Sequence, residues 1–378
     1  MESPPATMTS TAGATRLHRG LPEELVVWEI LLRLPPKPLL RCRAVCRAWR
    51  RATSTHAFLQ AQHAQQRSLP VVSWSRYDGH RYEEFLAFDH KAAAVGTRLQ
   101  PLVRVEDSFY PEASCEGILI YSSDDVCLSV CNPTTRQHAP LPQLSGFDVL
   151  GMYAHRPTGE YRVLLRRIYH TDCYVFALGS DHPPRHVGVM EGVGALAYLD
   201  KPTLLRHSLH WYIVHYPHLY QVGHKDVIVF DTMSESFRRM RAPVVPENSY
   251  IFEMDGTLGI YSYNDTTQIV DIWVLRDYES EVWGHKYRVE LPAEEIKRFV
   301  WGSCNWHVTV LSVDGDVLLL VTHGGWMFHV GIDGKLVDSF HRDGQHASTC
   351  KLSLKQTLVP HAFFAALEGY VVNTSPFL

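Results

Sequence analysis

From about Leu69 onward this chain repeats one pattern, a short apolar run rich in aromatics followed by turn residues, and repetition on that scale leaves few architectures open. Units of this kind recur around Phe88-Asp89, Cys131-Asn132, Phe176-Ala177, Phe230-Asp231, Trp273-Val274 and Phe328-His329. Counting second members, they stand 43, 45, 54, 43 and 55 residues apart, close to the roughly 40 to 50 residues of a four-stranded propeller blade. Runs such as Gly117-Ile118-Leu119-Ile120-Tyr121 and Val227-Ile228-Val229-Phe230 read as short strands of alternating apolar and polar character. Asp-Gly pairs at Asp78, Asp255, Asp314, Asp333 and Asp343 supply the tight turns between them. The expectation is an all-β domain over 69–378, propeller-like with about six blades, each burying its faces against its neighbours. An irregular β-sandwich is the rival.

Composition agrees with that reading. Of 378 residues, 46% are hydrophobic and 11% aromatic, with 24 Gly and 22 Pro, which suits strands joined by many turns and excludes a mostly disordered chain. No stretch reaches the roughly 18 consecutive apolar residues of a membrane span, so no membrane association is expected. Residues 1–18 are rich in Ser, Thr, Ala and Pro without an apolar run and read as a disordered leader, not a secretory signal. Eight scattered Cys fit buried reduced thiols better than a disulfide framework. Cytoplasmic or nuclear residence follows as an expectation, and the sequons at Asn264 and Asn373 then carry no weight.

Charge separates the front of the chain from the rest. Residues 1–69 hold ten Arg or Lys against four Asp or Glu, a balance of +6; with −4 for the whole chain, the remainder carries −10. Within that basic front, Pro22 suits a first helical turn, Glu23 and Glu24 complement the positive end of a helix dipole, and Pro35-Pro36 forbid continuation past Leu34. One helix of about three turns is predicted. Leu21, Leu25, Trp28 and Leu32 fall on one stripe of it, and Val27, Ile30, Leu31 and Leu34 on neighbouring ones, more circumference than one packing face uses. Helix restarts at Lys37-Pro38, where Leu40, Ala44, Val45, Ala48 and Trp49 recur among five arginines. So much apolar surface on so short a segment calls for a partner or a neighbouring domain to cover it.

Over residues 19–66 the segment resembles an F-box: Leu21-Pro22, Ile30-Leu31, Leu34-Pro35, then Lys37, Leu40, Arg41, Arg43, Val45-Cys46 and Trp49, with Phe58-Leu59 trailing. The resemblance implies three short helices that bind the acidic Skp-type adaptor and, through it, the cullin and RING subunits of an SCF ubiquitin ligase. Leu21, Pro22, Leu25, Ile30, Leu31, Leu34, Pro35, Leu40, Val45 and Trp49 are then the expected docking surface or its support. The plainer alternative is a helical hairpin packed on the chain's own β-domain. Cys42 and Cys46 lack a second pair at zinc-ligand spacing and read as buried or half-buried thiols. The arginines come without any groove-reading or stacking pattern, so no nucleic-acid partner is expected.

The β-rich part carries a second resemblance. Cys115-Glu116-Gly117-Ile118-Leu119, then Val130-Cys131-Asn132-Pro133-Thr134-Thr135-Arg136 and Leu141-Pro142, are similar to plant F-box-associated domains, and Leu358-Val359-Pro360-His361 to a closing motif of grass members. Together the two resemblances imply a non-catalytic receptor subunit that holds a protein substrate on its β-domain, with the substrate contacts unassigned. A propeller-fold enzyme and a non-degradative scaffold or regulator are the alternatives. No cofactor or metal is expected: His207, His210, His215, His218 and His224 lack a helical ligand pattern and read as surface or half-buried, and the glycines around Gly192 open no βαβ unit because Pro202 follows. Arg166-Arg167, Arg238-Arg239 and Arg241 could line a phosphate-binding pocket or stand as solvated strand ends.

Overall fold

The computed structural model describes residues 21–76, 82–93, 95–106, 109–123, 127–191, 193–195, 199–213, 226–243, 249–300, 305–374 and 376–377. The leader 1–18, the Asp78-Gly turn, Gly192 and His215, His218 and His224 lie outside them. Two compact units result, residues 1–65 and 66–378.

In the first unit the expected three-turn helix is a composite. An α-turn at Glu23–Leu25 passes into a π-turn at Val26–Ile30 and a 3₁₀ turn at Leu31–Arg33. The Leu31 amide reaches back to the Val26 carbonyl, an i→i+5 bond that widens the helix and shifts its register. Val27, Leu31 and Leu32 are thereby buried. Pro36 then opens α1 (Pro36–Arg43), α2 spans Arg47–Thr53 and α3 His56–Gln65. The 3.6-residue recurrence from Leu40 to Trp49 therefore crosses a break at Ala44–Cys46. Cys46 caps α2, its sulfur accepting the Trp49 amide at 3.4 Å, and is exposed rather than buried.

Among the described residues the second unit is six antiparallel sheets, a six-bladed propeller. Blade 2 runs Phe109–Cys115, Ile118–Ser123, Leu128–Asn132 and Gln137–Pro140, and blades 3 to 6 follow in the same up-and-down order from Phe147, Thr203, Ser249 and His307. Blade 1 takes Ser68–Arg76, Tyr82–Phe88 and Leu99–Glu106 from the start of the unit and Gln345–Lys355 from its end. The ring is closed where Arg76 pairs with Gln345 and Ser68 with Lys355. All six recurring units of the sequence lie on the third strand of their blades, from Phe88 in blade 1 to Phe328 in blade 6.

Six apolar clusters join each blade to the next. Ile120 and Val130 of blade 2 meet Met152, Val163 and Phe176 of blade 3, and Val72 and Trp74 of blade 1 meet Leu318 and Leu320 of blade 6. A blade is thus covered on both sides. That explains a departure from the expected alternation: Val227, Ile228, Val229 and Phe230 are consecutively buried, because successive side chains point to opposite faces and both faces are core.

One turn chemistry recurs at the strand ends. Asn132 Oδ1 accepts the amides of Thr134 and Thr135 at 3.0 and 3.3 Å, Asp231 those of Met233 and Ser234, and Asp277 those of Glu279 and Ser280. In each case the residue four positions on, Arg136, Glu235 or Glu281, has positive φ. A short acidic or amide side chain replaces the missing backbone partner, and the left-handed residue returns the chain to the next strand. Asp255-Gly256 and Asp314-Gly315 make two-residue turns with positive φ at both positions, as the Asp-Gly pairs led one to expect.

Beyond the closing strand, the tail crosses blades 2 and 3. Thr357 takes a bond from Asn132 Nδ2 through its carbonyl at 3.4 Å, Phe364 enters the cluster between the two blades, and Val371–Val372 adds a fifth strand to blade 2 beside Gln137–Pro140.

Candidate functional site

The first site is the helical unit. Of the ten residues expected there, Leu21, Leu25, Ile30, Leu40 and Val45 are 42 to 68% exposed, Pro22 and Pro35 are exposed, Leu34 and Trp49 are half-buried, and Leu31 is core. Trp28 joins the exposed group at 43%, its ring 5.7 Å from that of buried Phe58. The set therefore divides into a surface and its support. Arg41, Arg47, Arg50 and Arg51 are exposed, whereas Arg43 donates to Thr53 Oγ1 at 3.1 Å and to the Thr53 carbonyl, tying α1 to α2. Burial lowers the Arg43 pKa. Gln62, a residue the sequence reading passed over, is buried and donates to the Leu34 carbonyl at 3.1 Å. In a continuing helix that carbonyl would be served by the amide of residue 38, which is a proline and has none.

The second site is a cavity of about 760 Å³ in the propeller, lined by blades 1, 2 and 3 and by the segment that leads into blade 4. Lys201 from that segment binds Glu112 at 2.7 Å, and Ser122 donates to the other oxygen of Glu112. Asp200 takes Lys351 of the closing strand at 2.6 Å, whose ammonium also lies 3.6 Å from the centre of the Tyr250 ring in blade 5. Arg166 pairs with Asp148 at 3.0 Å. Glu83 differs: burial raises its pKa against the pull of the Ser73 and Ser75 hydroxyls, and among the described residues no cation pairs with it. Cys350 lines the same space, and burial pushes its thiol up to about 12, which keeps it protonated and weakly nucleophilic at neutral pH.

Of the histidine and arginine candidates, His210 and Arg238 meet at one hydroxyl, that of Tyr278. His210 is fully buried, not surface or half-buried, because its ring bridges the Thr203 carbonyl at 3.2 Å and the Tyr278 hydroxyl at 2.8 Å; desolvation holds its pKa at about 4. Arg238 meets the Tyr278 hydroxyl at 2.9 Å, Arg239 meets Asp226 at 3.1 Å and Arg241 meets Glu281 at 3.1 Å. Arg238 also stands 3.8 Å from Glu281, so all three arginines of this strand, Ser236–Arg241, are engaged by acidic groups. Among the described residues no group of three His, Cys, Asp or Glu is placed to hold a metal.

Comparison with known proteins then bears on both units. A family model described as the F-box associated beta propeller domain matches residues 101–331, well over half of the chain, and an F-box-like model matches residues 19–61. The chain belongs to the F-box proteins with an F-box-associated β-propeller. An Arabidopsis thaliana F-box protein is 25% identical over 341 residues, covering 80% of this chain and 86% of the relative. A putative F-box/kelch-repeat protein of the same plant is 23% identical over 353 residues, covering 75% and 77%. Among solved structures, the periplasmic gluconolactonase of Pseudomonas aeruginosa aligns at a TM-score of 0.38 and 13% identity, covering 75% of this chain and 82% of that one. The F-box and propeller together support a substrate-receptor role, and F-box proteins as a family are generally non-catalytic adaptors.

Proposed function

We propose that this F-box protein is the substrate-recognition subunit of an SCF-type cullin ubiquitin ligase, binding a Skp-type adaptor, and through it cullin and RING subunits, by the F-box and a protein substrate by the propeller. It performs no bond-making itself. Holding substrate lysines near a charged ubiquitin-conjugating enzyme raises their effective concentration, and this supplies the rate. Residence in the cytoplasm or nucleus, where such ligases would meet it, is part of the proposal.

The observation that carries the reading is the exposed apolar set Leu21, Leu25, Trp28, Ile30, Leu40 and Val45 beside exposed arginines. Water is a poor medium for such a surface, and an acidic partner with an apolar groove complements it in both respects. Leu25 and Ile30 are 47% and 45% exposed. Burying the remaining half of each would contribute together about 1.5 to 3 kcal/mol, or about 10- to 150-fold in Kd. A Leu25→Asp/Ile30→Asp chain should keep its melting temperature and lose at least that factor in affinity for purified adaptor in a calorimetric titration. Equal adaptor binding by the variant and the parent would end the proposal. A target whose lifetime ignores loss of this protein would instead point to the non-degradative scaffold.

A further inference from the structure

The cavity on blades 1 to 3 is built around charge pairs that cancel one another. Lys201 neutralises Glu112, Arg166 neutralises Asp148, and Lys351 reaches Asp200. Arg76, which also lines the space, is engaged in an interaction of its own. Once these are paired, the Glu83 carboxylate remains, with Ser73 and Ser75 beside it in the lining and with no cation paired to it among the described residues. Hydroxyls orient a carboxylate but leave its charge in place, and a partly desolvated charge gains most from a cation brought from outside.

The surroundings agree. Tyr110, 53% exposed, and Phe147 line the space along with Tyr82, and tyrosine rings attract a cation through their faces, as Tyr82 already does for Arg104 at 3.8 Å. The volume is that of a site for a small ligand or a few peptide residues. Residues 70–378 carry −10 in net charge, the difference between −4 overall and +6 up to residue 69, so a basic ligand is also drawn toward this unit at long range.

We propose that this cavity receives an arginine or lysine side chain of the protein substrate, with Glu83 as its carboxylate partner and Tyr110 as an aromatic wall. The proposal deepens the receptor reading and rests on it, and its test is independent of the adaptor. Full-length protein is titrated by fluorescence anisotropy with two labelled nonapeptide mixtures that are random except at the centre, one carrying arginine there and the other citrulline, which has the same shape without the charge. The arginine-centred mixture should bind about tenfold more tightly, and the ratio should fall toward one in 0.5 M salt and in Glu83→Gln. Adaptor affinity of Glu83→Gln should equal the parent's, which separates failure here from failure of the receptor assignment. Should Glu83→Gln fail to fold, Tyr110→Ala, a truncation at an exposed position, should still weaken the arginine-centred mixture several-fold. Equal binding of the two mixtures by the parent, or a preference that survives Glu83→Gln, or undiminished binding by Tyr110→Ala, would overturn the assignment.

Discussion

Replacing Gly117 by alanine probes how the tail locks the ring. Gly117 is the second residue of the Glu116-Gly117 turn in blade 2, with φ at +92°. A Cβ there would overlap the Thr357 methyl and stand 2.5 Å from the Lys355 carbonyl oxygen. The backbone conformation alone costs an alanine about 1 to 2 kcal/mol. Forcing an atom against a carbonyl fixed by strand pairing adds about 1 to 3 kcal/mol, for a total of about 2 to 5. Gly256 is the matched control: it occupies the same position of the Asp255-Gly256 turn, has φ +75°, and has nothing within 4 Å of its would-be Cβ. Gly256→Ala should therefore show the conformational cost only. At about 2 to 4 °C per kcal/mol for a large domain, the two variants should melt at least about 2 °C apart in scanning calorimetry, with Gly117→Ala lower. Hydrogen exchange at Val371 and Val372 should quicken in Gly117→Ala alone. If the two variants unfold together, the tail does not press on this turn and the reasoning fails.

Three further outcomes follow from the same structure. His210 and His329 are both held neutral by burial, with pKa values of about 4, so the stability they confer is complete above the unfolded value of about 6.5 and drains away as pH falls toward 4; each contributes a slope of up to about 1.4 kcal/mol per pH unit, and denaturant titrations between pH 6.5 and 4.5 should be flatter for His210→Gln/His329→Gln. Burial works to raise the Glu235 pKa, but bonds from Tyr153 at 2.6 Å and Arg162 at 2.7 Å, with Arg185 beside them, outweigh it and bring the carboxyl below its ordinary range. Stability from Glu235 is present above its unfolded pKa and lost as pH falls through the folded one, and Glu235→Gln should cost about 1.5 to 3 kcal/mol at pH 7, read from the urea midpoint, and progressively less as the pH is lowered through the acid range. Phe364→Ala should empty a site that is 1% exposed between blades 2 and 3 and cost about 3 to 5 kcal/mol; a urea midpoint within error of the parent's would show that the tail is dispensable.

The repeat was legible because the third strand of each blade is an apolar run, aromatic in five of the six, and in blades 2, 4 and 5 it ends on a fixed local device. Asn132, Asp231 and Asp277 write their turns into three or four consecutive residues, and Asp255-Gly256 does so in two. The apolar stretch ended by Pro35-Pro36 was legible for a similar reason, since proline acts on its neighbours. The π-turn at Val26–Ile30 was not: it depends on which carbonyl an amide selects, and helical periodicity does not record that. Cys46 as a cap was equally hidden, for sulfur is an uncommon acceptor there. The cavity required contacts no local pattern carries, with Glu112 brought from blade 2, Lys201 from the segment before blade 4 and Lys351 from the closing strand. The consecutive burial of Ile118 to Tyr121 and of Val227 to Phe230 was signalled, though not by the alternating pattern expected of them, because an unbroken apolar run announces two covered faces.

Closing the ring with a strand made only after all the other blades has a consequence for synthesis. A ribosome delivers the F-box early, whereas blade 1 waits with one edge of Ser68–Arg76 unpaired until Gln345–Lys355 arrives. Chains that stop short of residue 345 would therefore combine a finished adaptor segment with an open sheet edge, which is prone to pair with other chains. Under the receptor proposal such fragments would occupy adaptor while delivering nothing, so a nonsense allele late in the reading frame should interfere with the intact protein more strongly than an early one.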